Sequence, residues 1–301
     1  MIVITVVATK GGVGKTTLSA NMSALLADVG VRVLLIDADV QPSLTRYYCI
    51  SPRMDFGLTE IMKRGVITPD CISKVALCHP DGYGLNPDGC LDIVVANAPE
   101  GTLQDWLAQR IDRAVRIRKA VRSPYIDENY DVVLIDTQGA VGHLQDAAVL
   151  AADVLLSPIS PDILTAREFT SGTLELLNRL EPSADIGITV PPMKALIYKL
   201  ERTKDSRDIA QNIRAQYVNL RARVDVLDTT VPHAVAYKQA ATAQLPVHWT
   251  DPARAGLTMH RLLWELVPSL AGSVAPNCSG VIEATQFADL DARDDTTRTE
   301  S

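Results

Sequence analysis

Directly after the apolar, β-branched run Ile2 to Val7, the chain reads Lys10-Gly11-Gly12-Val13-Gly14-Lys15-Thr16-Thr17 and falls at once into helical spacing, with Leu18, Met22, Leu25, Leu26 and Val29 on one face. No other feature narrows the fold as much. A strand, a glycine loop closing on Lys-Thr and an immediate helix form the opening of a βαβ unit, since glycine lets backbone turn where a side chain would clash. Gly30 stands where a helix C-terminus wants a left-handed residue, and Val31 to Ile36 supplies the next strand.

The rhythm continues through Leu91 to Val95, Val132 to Ile135, Val154 to Ile159, then Ile186 to Val190 or Ala195 to Tyr198, and Val224 to Leu227. Continuous β-branched runs between helical stretches predict an α/β fold, a doubly wound, mostly parallel sheet with helices on both faces. Thr102 to Val121 reads as one helix, with Leu103, Trp106, Leu107, Ile111 and Val115 inward and arginines outward; residues 78 to 90 read as a turn-rich surface loop. No stretch approaches the roughly 18 apolar residues of a spanning helix, and no basic leader precedes the first strand, so the chain is expected in the cytoplasm without membrane attachment. Five scattered cysteines (Cys49, Cys71, Cys78, Cys90, Cys278) match no disulfide framework or metal-ligand spacing.

Lys10 to Thr17 satisfies the GxxxxGK[ST] pattern in its required strand and helix context. Backbone N–H groups of Gly11, Gly12, Val13 and Gly14 can curl around phosphate oxygens, Lys15 can reach the terminal phosphates, and Thr16 offers a hydroxyl to Mg²⁺. Two acidic strand ends follow, Ile36-Asp37-Ala38-Asp39 and Ile135-Asp136. Carboxylates at the C-terminal ends of parallel strands project into the crevice where such sheets bind ligands. Asp37 and Asp39, two residues apart, are expected on one face, and Asp136 is expected to hold Mg²⁺ through water.

The second lysine, Lys10, with Asp37-Ala38-Asp39-Val40-Gln41 and Asp136, resembles the deviant Walker A ATPases of the ParA/MinD superfamily, and within it the ParA-type partition ATPases. Gly57-Leu58-Thr59-Glu60-Ile61-Met62 resembles the segment after the family's second strand. Thr229 to Val235, Ala240, Leu245-Pro246-Val247, Thr250-Asp251 and Arg254 to Leu257 follow its C-terminal pattern. The resemblance implies an ATP- and Mg²⁺-dependent sandwich dimer with slow, partner-stimulated hydrolysis. In it Lys10 crosses to the other subunit's nucleotide, Asp39 orients the lytic water, Asp37 supports the Mg²⁺ network with Thr16 and Asp136, Thr17 touches the α-phosphate, and the stretch from Pro232 flanks the adenine. Two departures stand out: Asp136-Thr137-Gln138-Gly139 replaces the family's Asp-x-Pro-Pro, and Pro42 is displaced by two residues from the usual Asp-Pro-Gln.

Superfamily members move DNA, place machinery on membranes or drive redox chemistry, and charge helps to choose. The net charge is −7, but residues 273 to 301 carry six acids against two bases, while Lys194 to Arg223 carries eight bases against three acids and Arg110 to Arg122 six against one. The body, residues 1–272, is read as the ATPase domain and 273–301 as an acidic, disordered tail. A DNA-contacting arginine of the family falls on Arg202, and Lys199, Lys204, Arg207, Arg214 and Lys238 are candidates to complete a patch that neutralises phosphates without reading bases. The leading expectation is a nucleoid-associated partition ATPase that binds nonspecific duplex DNA and works with a centromere-binding, ParB-like partner. The alternatives are a switch that positions a protein complex without DNA, as MinD-like relatives do, and a P-loop enzyme acting on a small acceptor.

Overall fold

The computed structural model describes residues 1–268 apart from 80, 83, 98–101, 140 and 218–222, with the side chains of 163–170 also left out; the acidic tail therefore lies outside the described residues. Eight strands form one sheet: β1 Ile2–Val6, β2 Arg32–Ala38, β3 Ser73–Lys74, β4 Cys90–Val94, β5 Val132–Thr137, β6 Val154–Ile159, β7 Met193–Leu200 and β8 Val224–Pro232. Their order is β3-β4-β2-β5-β1-β6-β7-β8, and every pairing is parallel except β3 with β4. The helices are α1 Lys15–Asp28, α2 Leu58–Arg64, α3 Thr102–Ala108, α4 Arg116–Val121, α5 Pro124–Asn129, α6 His143–Ala151, α7 Ile163–Leu180, α8 Lys204–Tyr217, α9 Ala236–Ala243, α10 Val247–Thr250 and α11 Leu257–Leu266.

Alternation along the strands divides the core. Val33 and Leu35 of β2 face the layer of α1, α9 and α11, while Leu34 and Ile36 face the layer of α2, α4 and α6. Burial on both faces is why these strands read as unbroken apolar runs. In α1 the expected inward residues Leu18, Met22, Leu25 and Leu26 are buried, and so are Ala20, Asn21, Ser23 and Ala24 on its other side. That second side is closed by α10 and α11, where small residues allow close approach. Gly30 takes φ 93°, the left-handed conformation its position called for.

The structure decides between the two candidates for one strand, adds another strand and breaks one expected helix. The seventh strand is Met193–Leu200, and 186–190 is a 3₁₀ turn and extended linker on the surface. The antiparallel edge strand β3 went unread because two residues carry no period. Thr102 to Val121 is not one helix: it breaks after Ala108, passes a 3₁₀ turn at Arg113–Val115 and resumes as α4. Ile111, expected inward, is wholly exposed in that break, and Arg116, expected outward, is buried.

Candidate nucleotide site

The loop between β1 and α1 is shaped by glycine. Gly12 and Gly14 take φ 74° and 94°, and a Cβ on Gly14 would stand 2.1 Å from the Tyr198 ring. Because α1 begins at Lys15, the N–H groups of its first turn have no intrahelical partner, and with the helix dipole they make an anion site. The Lys15 ammonium is buried and reaches back to the Lys10 carbonyl at 3.5 Å. Burial pulls its pKa down, while the charges of Asp136 and Asp39 oppose the shift. Lys10 is exposed at the rim of a cleft lined by Thr9, Val141, Ser171, Glu175 and Arg179.

Beside the loop two carboxylates meet on neighbouring strands, with Asp37 of β2 paired in register with Asp136 of β5. Both are fully buried. Asp136 accepts hydrogen bonds from Thr16 Oγ1 at 2.7 Å and Ser19 Oγ at 3.1 Å. Asp37 Oδ2 accepts from the Thr45 N–H and hydroxyl at 2.8 and 2.7 Å, whereas its Oδ1 has no hydrogen-bond partner among the described residues. Burial and the charge of Asp136 push Asp37 up to about 7; burial raises Asp136 to about 6 against the pull of Thr16, Lys15 and Ser19. Two buried carboxylates with an unpaired oxygen and the Thr16 hydroxyl beside them form an oxygen donor set suited to a small divalent cation. Asp39 lies past the end of β2, so strand alternation does not reach it, and its carboxylate closes a local turn by accepting from the Gln41 N–H at 2.9 Å.

The unusual loop after Asp136 has a packing reason. A Cβ on Gly139 would lie 2.8 Å from the Gly11 backbone, so this segment rests directly on the phosphate loop in a way only glycine allows. Sequence reasoning also passed over Ser19, Thr45 and Tyr198. Their common side chains acquire a role only through contacts made by the fold.

On the far side of the loop, Thr17, Tyr198, Pro232, His233, Tyr237 and Lys238 line a second cleft, with Lys199 at its edge. Thr17 is hydrogen-bonded to the Tyr198 hydroxyl. The six cations grouped from the sequence are thus spread over three places. Lys199 and Lys238 border this cleft, and Lys199 Nζ donates to the Gly12 carbonyl at 2.9 Å. Arg214 clamps α8 to β8 by donating to the Leu227 and Asp228 carbonyls at 2.6 and 3.1 Å. Arg202, Lys204 and Arg207 are exposed together at the start of α8. In the other basic stretch, Arg116 donates to the Met62 and Lys63 carbonyls and to Asp112, Arg118 to the Leu150 carbonyl, and Arg122 pairs with Asp153.

The fold is that of the P-loop ATPases. The sequence model of an AAA domain family matches residues 1–183, and the chain belongs to that family, in its ParA/MinD branch of ATPases. It is 28% identical to the chromosome partitioning protein ParA of Caulobacter vibrioides over 82% of this chain and 86% of the relative. Among solved structures it superposes on apo McdA of Cyanothece with a TM-score of 0.71 at 20% identity, covering 88% of this chain and 99% of that one. It also superposes on cobyrinic acid a,c-diamide synthase of Mycobacterium smegmatis with a bound ATP analogue and magnesium, with a TM-score of 0.62 at 26% identity over 85% and 98%. No helix among the described residues is long and apolar enough to cross a membrane.

Proposed function

We propose that this chain is an ATP-dependent DNA-partition switch. Its ATP-bound dimer coats duplex DNA without reading sequence, and hydrolysis, stimulated by a centromere-binding partner of the ParB kind, releases it. The observation that carries the nucleotide chemistry is the buried Asp37 and Asp136 pair set against the phosphate loop. Thr16, Asp37 and Asp136 would hold Mg²⁺, which when bound neutralises charge on the phosphate oxygens. Lys15 supplies a partly desolvated cation to the terminal phosphates. Asp39, at the mouth of the site, orients the attacking water, and Lys10 at the exposed rim extends to a second subunit's nucleotide. Thr17 contacts the α-phosphate and Pro232 flanks the base. Similarity to a partitioning protein and to a structure holding an ATP analogue with magnesium supports this reading.

DNA attachment is assigned to Arg202, Lys204 and Arg207, whose exposed cluster at the start of α8 suits contact with phosphates. The test is retention of a random duplex by purified protein with Mg²⁺ and ATP, beside ADP and a Lys15→Ala control. ATP-only binding that weakens steeply with salt is expected. Equal binding in ATP and ADP would reject the reading. A second reading, a switch that positions a protein complex, is favoured by how many cations of both basic stretches are already engaged within the fold, Lys194 with Asp225 among them. In that case Arg202→Ala leaves cellular localisation intact.

A further inference from the structure

The register of β7 against β8 advances two residues for one between Tyr198 and Leu200, which makes Lys199 the extra residue of a β-bulge. Bulges gather beside functional sites because they re-aim a side chain, and the left-handed bulge position is usually glycine. Here φ is 63° at a lysine, a conformation that only two non-glycine residues of the described chain adopt. Such an outlier at a site points to a use for the side chain. The side chain's course supplies one: Lys199 Nζ ends on the Gly12 carbonyl, 187 residues away in sequence.

A Cβ on Gly12 would meet nothing within 4 Å, so no neighbour packs against that side of its backbone. The peptide joining Gly12 to Val13 is planar, and in the trans form its carbonyl and the Val13 N–H point in opposite directions. A cation bonded to the carbonyl therefore sets the direction of the N–H and, by polarising the peptide, strengthens it as a donor. We propose that Lys199 is a positioning residue of the phosphate loop, holding the Gly12 carbonyl so that the Val13 N–H is turned to bound phosphate. The assignment rests on the reading of this loop as a nucleotide site. It gives Lys199 a task distinct from DNA contact.

The experiment is binding of Mg²⁺-ADP to the full chain, read by calorimetry, beside thermal melting without nucleotide. Lys199→Gly relieves the backbone and removes the donor, so melting is expected to stay level or rise while the ADP dissociation constant increases roughly tenfold, the order of one hydrogen bond to a charged group. Lys199→Met, which keeps a side chain of similar reach without the charge, shows the same loss if the glycine variant does not fold; Lys199→Arg restores binding. Wild-type affinity in both the glycine and methionine variants would overturn the proposal, as would a lower melting temperature with unchanged affinity, which marks a purely structural strap. Failure of the wild-type chain to bind ADP, or undiminished binding by Lys15→Ala, would instead bring down the nucleotide reading and this role with it.

Discussion

Asp37 combines full burial with a carboxylate oxygen that no described group satisfies, beside a second buried carboxylate. This is a destabilising arrangement in a nucleotide-free protein, and on the function proposed above its cost is offset when the pair holds a cation. Asp37→Asn should therefore raise the melting temperature by a few degrees, the scale of about 1 kcal/mol, while ATP hydrolysis is lost. A fall in melting temperature would show that the carboxylate is better satisfied than its contacts indicate. Gly139→Ala tests the contact between the two loops. A methyl group 2.8 Å from the Gly11 backbone must displace one loop or the other, so weaker nucleotide binding is expected even though no ligand-touching side chain changes. Nucleotide binding equal to wild type in that variant would separate the Asp136 loop from the phosphate loop. The motif named Asp37 and Asp136 because their positions at strand ends are set by local pattern, whereas Thr45 entered only when the chain after β2 turned back over the sheet.

At the scale of elements, the parallel strands and α1 were legible because a parallel sheet buried on both faces leaves continuous apolar runs, and a helix start after Gly14 has a strong local signature. The segment from Thr102 to Val121 was not. Its apolar residues sit at helical spacing throughout, but Arg116 finds the carbonyls of Met62 and Lys63 at the end of α2, at 2.6 and 3.0 Å, and turns inward, while Ile111 turns out. Tertiary hydrogen bonds to a charged donor outweigh one apolar side chain here, and no period in the sequence encodes them. Arg116→Ala should cost about 2 kcal/mol in a denaturant melt by leaving those carbonyls without their buried donor. Arg113→Ala, which loses only exposed contacts to the Ala108 and Arg110 carbonyls, should stay within about 0.5 kcal/mol of wild type. Equal effects in the two variants would mean that the break in this segment is set by something other than Arg116.

Across the whole molecule the phosphate loop and the carboxylate pair lie at one end of the sheet, and α1 carries the loop on its first residue. At its other end α1 is held by a buried polar group: Asp28 Oδ2 accepts from Trp249 Nε1 at 2.8 Å and contacts His248 Nε2 at 3.2 Å. His260 of α11 stacks near Trp264, with ring centroids 5.6 Å apart. Burial lowers the pKa of His248 against the pull of Asp28, and burial together with His248 lowers His260 to about 4. Both imidazoles are then neutral in the folded protein at a pH where the unfolded chain, with histidines near 6.5, has begun to bind protons. The unfolded state binds more protons below that value, so stability is full above about pH 6.5 and falls as the pH drops toward 4. For His260 the loss between pH 7 and pH 5 is of order 1–2 kcal/mol. Melting temperature followed across that range should decline, and His260→Gln should flatten the decline. An unchanged slope in His260→Gln would place the acid sensitivity in other groups, first among them His248; the carboxylates of the nucleotide site cannot supply it, because their raised pKa values favour the folded state as they take up protons.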